Sequence, residues 1–250
     1  MRQFWSERYR DCSLSESGWL GAGETHNALV YRCKEQALRH AVRQCGFRSA
    51  SRISVLDAGC GQGFFADLYA RDYPECRYTG VDLVPAALGR LRGRHPRFHF
   101  HVADISSWRR VDAEKFDLIQ SFEVLHLFLD DGLVERTLRN LADQLKPSGV
   151  MLVTAALPPE TMTPNAYVRH LGRTAFLQLV DRAGLRLVRE WPMYFWLPDG
   201  GPSNRLLRFV ATPFGPRILY AADRLALALR MPRIFQRGCD SAMKLLTLRK

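Results

Sequence analysis

From residue 52 to residue 190, short apolar runs alternate with stretches whose apolar positions recur at helical spacing. The segments 52–57, 77–82, 97–103, 116–120, 149–154 and 185–190 read as strands, and 64–71, 85–91, 131–145 and 167–183 as helices between them. Strands that alternate with helices build a mostly parallel sheet covered on both faces. Ahead of this block, residues 1–50 read as helical, with a loop at 17–25 and a helix over 27–44 that places Ala28, Tyr31, Leu38 and Val42 on one face. Behind it, the rhythm breaks between residues 193 and 239, where prolines and aromatics surround a helical run at 218–230. A last apolar run, 242–248, reads as a strand that inserts beside the sixth. The expected organisation is therefore an N-terminal helical cap or lid (1–50) and one α/β domain (51–250) with an insertion at about 193–239.

Between the first strand and its helix stand Gly59, Gly61 and Gly63, behind Asp57. Glycine loses much freedom on folding, so such a cluster marks a tight turn or a close approach of backbone to a ligand. In an open α/β sheet, ligands settle beyond the carboxyl ends of the strands, where strand order reverses. The helix that follows offers unpaired amides there. A dinucleotide site usually carries G-x-G-x-x-G, and the third glycine is missing at that interval. Asp57 would repel a pyrophosphate but accept a hydrogen bond from an ammonium group, directly or through water. Asp82 ends the second strand, where a carboxylate can receive ribose hydroxyls. Asp104 follows the third strand and can accept from an adenine amino group, with Ile105 against the ring. Each aspartate alone also reads as a turn or cap residue. At three successive strand tips they describe amine, ribose and base with no phosphate clamp.

Composition narrows the classes. The chain has 250 residues, 47% of them hydrophobic, which suits one core and excludes global disorder. No apolar run approaches the length of about 18 residues that a membrane-spanning helix needs. The first ten residues lack a signal-peptide core, so a cytoplasmic location is expected. Cys12, Cys33, Cys45, Cys60, Cys76 and Cys239 form no C-x-x-C pair and read as reduced, scattered thiols. The net charge of +11 comes from dispersed arginines rather than a basic block, which disfavours nucleic acid as partner.

The segments 55–63, 78–82, 101–105, 116–126 and 145–154, in that order and spacing, resemble the class I S-adenosylmethionine-dependent methyltransferases. The resemblance implies a Rossmann-like, seven-stranded, mostly parallel sheet whose antiparallel final strand lies between the fifth and sixth. It implies S-adenosyl-L-methionine as cofactor and transfer of its sulfonium methyl. It also implies a cofactor site of Asp57, Gly59, Cys60, Gly61, Gly63, Asp82, Leu83, Asp104, Ile105, Ser121 and Phe122. The expected acceptor is a small molecule of the secondary-metabolite kind, hydrophobic or anionic, methylated on O, C or N. The alternatives are RNA methylation and a non-catalytic cofactor-binding protein.

An oxygen or carbon acceptor needs a base. Glu123 and His126, just past the fourth strand, are the candidates, although both also read as structural anchors. The segment 120–123 departs from the N-P-P-Y and D-P-P-Y signatures of the family's nucleobase and protein-amide enzymes. No spacing supports a metal, and Asp130 with Asp131 reads as a helix cap. Trp19, His26, Tyr31 and Arg32 are candidates for a lid or acceptor wall, as are Tyr194 and Trp196 in the insertion. Trp19 reads equally as a buried anchor. The insertion reads also as core or dimer packing, or as a peripheral membrane contact. Monomer and homodimer both remain open.

Overall fold

The computed structural model describes residues 2–9, 18, 23–112, 114–193, 215–228 and 243–250. Two helices, α1 (Arg2–Arg8) and α2 (Gly23–Gln44), precede β1 (Ser54–Ala58), α3 (Phe64–Asp72), β2 (Arg77–Asp82), α4 (Pro85–Arg94), β3 (His99–Val102) and β4 (Phe116–Ser121). A 3-10 turn (Leu125–Leu127) leads to α5 (Asp131–Asp143), β5 (Leu145–Ala155), a hairpin of β6 (Met162–Asn165) and β7 (Val168–His170), and α6 (Arg173–Arg182). The chain ends with β8 (Arg186–Pro192), α7 (Gly215–Ala228) and β9 (Lys244–Arg249).

The sheet has seven strands in the order β3-β2-β1-β4-β5-β9-β8. The first five pair in parallel, and β9 runs antiparallel to both of its neighbours. Strand order therefore reverses between β1 and β4, and their carboxyl ends flank the glycine turn. The six expected strands and the late insertion of the last one are all present. β1 and β4 are buried along nearly their whole length, as a central parallel strand covered on both faces must be. One face packs Val55, Tyr78 and Leu118 against Leu38, Val42 and Tyr69 of α2 and α3. The other packs Leu56, Ile119 and Leu246 against Leu138 of α5 and Phe176 of α6.

Two expectations change. The helix expected over 167–183 begins only at Arg173. Before it, the Asn165 side chain accepts from the Tyr167 amide at 2.9 Å, turning the chain into the β6–β7 hairpin. The inward face of α2 is His26, Asn27, Val30, Tyr31, Cys33, Lys34, Leu38, Ala41 and Val42, while Ala28 is exposed. On that face Cys33, Leu38, Ala41 and Val42 are fully buried. Within the insertion, α7 docks on α2: Arg224 donates to Gln36 Oε1 at 2.6 Å and to the Met193 carbonyl at 2.8 Å. Among the described residues no helix is long and apolar enough to cross a membrane.

Candidate active site

The turn leaving β1 is built from backbone that side chains would spoil. Gly59, Gly61 and Gly63 have φ of +89°, +51° and +84°, in the left-handed region. A Cβ at Gly59 would stand 2.3 Å from Val124 Cγ2, and one at Gly63 2.2 Å from Leu91 Cδ2. The turn therefore nestles against the segment after β4 and against α4. The Gly59 and Cys60 amides donate to the Val81 carbonyl at 2.8 and 3.1 Å. Asp82 completes the support, with Oδ2 accepting from the Gly61 amide at 2.8 Å and Oδ1 from the Val84 amide at 3.1 Å. The Leu83 amide also bonds to this carboxylate, and with about four lone-pair sites in all it keeps capacity for a ligand hydroxyl. Burial raises the Asp82 pKa, against the opposing pull of the Gly61 and Val84 amides. Leu83, between them, is half-buried.

Asp57 lies beneath the turn and is buried. Its Oδ2 accepts from the Tyr78 hydroxyl at 2.5 Å. Gln120 stands opposite it in the β1–β4 register and accepts from the Tyr69 hydroxyl at 2.9 Å. Burial pushes the Asp57 carboxyl up to about 6, while the Tyr78 hydroxyl and the nearby Gln120 amide pull it back. Oδ1 is buried without a hydrogen-bond partner of normal geometry among the described residues. A buried carboxylate oxygen beneath a turn of glycines has the chemistry to accept from the ammonium group of an amino-acid-bearing nucleoside. Cys60, also buried, has its thiol pKa pushed up by burial and by Asp82 and Asp57, so it stays neutral.

The remaining expected cofactor residues divide. Asp104 is exposed, and its Oδ1 accepts from the Ser106 amide at 2.8 Å, so the bland turn role is filled. Ile105 belongs to the core beside Val81 and Leu125. Ser121 donates its hydroxyl to the Ala58 carbonyl at 2.9 Å and ties β4 to β1 at the switch point. The Phe122 ring lies 4.5 Å from that of Phe65.

Past β4, Glu123 holds φ +58°, unusual for a residue with a side chain, and donates its amide to Thr154 Oγ1 at 2.8 Å. Its carboxylate lies 3.9 Å from the Lys34 ammonium, which also sits 4.7 Å over the Tyr31 ring. Tyr31 in turn packs on Phe64 at 4.6 Å. His126 is on the 3-10 turn, with its ring 5.7 Å from that of His170 on β7. His26 is buried on α2, and Arg32 is on the exposed side of the same helix, not on the face that carries Tyr31. Trp19, Tyr194 and Trp196 lie outside the described residues. Asp130 caps α5 by accepting from the Leu133 amide at 2.7 Å. Among the described residues no group of three or more metal-binding side chains is assembled.

Sequence reasoning missed Tyr9, Lys34, Tyr78, Gln120, Thr154 and His170. One signal was available: His26, Asn27 and Lys34 share the buried stripe of α2 with apolar residues, and polar side chains at core positions need partners.

Residues 55–149 match a family model described as a methyltransferase domain. Nodulation protein S of Sinorhizobium fredii is 32% identical over 135 residues, covering 52% of this chain and 58% of that protein. Trans-aconitate 2-methyltransferase of Paracidovorax citrulli is 34% identical over 139 residues, covering 55% and 52%. The chain spans 35% to 58% of the length of the curated relatives it matches. Among solved structures, a SAM-dependent methyltransferase from Leishmania major superposes with a TM-score of 0.65 at 13% identity, covering 99% of this chain and 81% of that one.

Proposed function

We propose that this chain is a class I S-adenosylmethionine-dependent methyltransferase and that it methylates a small-molecule acceptor. One observation carries the reading. At the strand-order switch, a turn of three glycines in left-handed backbone lies between the buried Asp57 carboxylate, whose Oδ1 has no hydrogen-bond partner of normal geometry among the described residues, and the Asp82 carboxylate. S-adenosylmethionine, when bound, supplies an already activated methyl group, so the protein need not provide a covalent nucleophile. Asp57 would take the ammonium end, Asp82 the ribose hydroxyls, and Asp104 the base. What remains for the chain is to align an acceptor and hold water away.

The acceptor side is carried by α2 and the segment after β4. Lys34, Glu123 and His126 give it a cation, a carboxylate and an imidazole, which suits a polar or anionic acceptor. The name of the Paracidovorax relative, a trans-aconitate methyltransferase, is consistent with a small carboxylate. Glu123 and His126 are the groups that would take a proton from an acceptor oxygen. The test has two stages. Calorimetry should find saturable binding of S-adenosylhomocysteine, and labelled methyl groups should then pass from S-adenosylmethionine into the small-molecule fraction of a native extract. Absence of binding defeats the cofactor assignment; binding without transfer favours a binding protein.

A further inference from the structure

The glycine turn has a cover that the sequence did not announce. Tyr9, at the end of α1, is 8% exposed, although it stands near the start of the chain. Its hydroxyl lies 3.1 Å from the point that a Cβ on Gly61 would occupy. The same Gly61 donates its amide to Asp82 Oδ2, so the hydroxyl and the carboxylate flank one residue. The missing side chain of Gly61 is therefore what admits Tyr9. Three further contacts hold the phenol there. Its ring packs with Val84 and Ala87 at the start of α4, Trp5 lies 5.4 Å away one turn earlier, and Arg90 of α4 donates to the Tyr9 carbonyl at 2.7 Å. Burial and the Asp82 carboxylate both raise the phenol pKa, so the group remains an O–H donor at neutral pH.

A donor and an acceptor on either side of one glycine complement a vicinal diol, in which one hydroxyl accepts while the other donates. We propose that Tyr9 is a ribose-contacting residue, carried by α1 as a strap across the glycine turn, and that it pairs with Asp82 to recognise the diol. This rests on the cofactor reading above and adds to it a residue and an element. A strap in that position has to lift for the nucleoside to enter or leave, so occupancy of the site and order in residues 2–9 are coupled.

Calorimetry with S-adenosylhomocysteine and its 2′-deoxy and 3′-deoxy analogues tests the contact. Tyr9→Phe keeps the ring and removes only the hydroxyl, so a folded variant is expected, with an unchanged thermal melt as the check. It should bind S-adenosylhomocysteine about three- to tenfold more weakly, the effect of one lost hydrogen bond. The same substitution should cost nothing with whichever deoxy analogue lacks the hydroxyl that Tyr9 serves. Hydrogen exchange should show residues 2–9 protected by S-adenosylhomocysteine together with residues 59–63. Wild-type affinity in Tyr9→Phe, an equal loss with all three ligands, or no protection of residues 2–9 would each overturn the proposal while the cofactor reading stands. If the wild-type chain binds none of the three ligands, the cofactor reading falls first and takes this one with it.

Discussion

At the scale of single residues, the turn is the least forgiving part of the molecule. Gly59→Ala would place a methyl group 2.3 Å from Val124 Cγ2 on a backbone with φ +89°. The expected cost is about 2–4 kcal/mol from overpacking and strain, and affinity for S-adenosylhomocysteine should drop at least tenfold, roughly, because the cradle must move. Urea unfolding and calorimetry measure the two effects. Asp57 gives a pH signature. Its folded pKa of about 6 is raised above the ordinary 3.8, so its contribution to stability is full below about 4 and lost as pH rises through 6. The ammonium end of the ligand needs the ionised form, so the sign for binding is opposite. Affinity for S-adenosylhomocysteine should be flat above about pH 7 and fall by up to about tenfold per unit below 6. Asp57→Asn should abolish that slope. A pH-independent dissociation constant in the wild type would remove Asp57 from the ammonium site.

At the scale of elements, β9 shows what the late insertion must leave intact. Leu245, Leu246 and Leu248 are fully buried where β9 pairs with β5 on one side and β8 on the other, so the last segment of the sequence completes the sheet. Leu246→Ala should cost about 2–5 kcal/mol, set by the cavity it leaves. Asp130→Ala removes only the cap of α5, for about 1 kcal/mol, and should leave the dissociation constant of S-adenosylhomocysteine unchanged. Denaturant titration of both, beside calorimetry of the second, separates core from cap. The sheet was legible in the sequence because most of its strands combine apolar residues with flanking turn residues, and helices of a different periodicity divide most of them. The hairpin of β6 and β7 was not legible. Its strands are four and three residues long, too short for alternation to register, and the run from Val168 to Val180 carries helical periodicity through both hairpin and helix. Asp57, Asp82 and the glycines could be read because strand ends place them whatever the packing. Tyr9 could not, since it reaches the turn only through the docking of α1, whose position is a tertiary fact; Lys34 could be suspected as a polar residue on a buried stripe, but its partner Glu123 could not.

At the scale of the whole molecule, the +11 charge is the feature that most invites a nucleic-acid reading. The distribution argues the other way. Arginines gather two to a carboxylate: Arg39 and Arg71 on Glu35, Arg77 and Arg110 on Glu114, Arg139 and Arg182 on Glu135. These sites lie on α2 with α3, on the loop before β4, and on α5 with α6, so they belong to different sides of the sheet rather than to one face. A guanidinium held by a neighbouring carboxylate has part of its field cancelled and releases fewer counterions when a phosphate approaches. Binding to RNA should accordingly be weak and unsaturable at micromolar protein in roughly 0.15 M salt, and methyl label should appear in small molecules rather than in the RNA of the same extract. Gel shift with a single-stranded RNA across a salt series, run beside fractionation of the labelled extract, decides it. Saturable binding that survives that salt, with label in RNA, would move the acceptor from a small molecule to a nucleic acid and leave the cofactor half of the site as described.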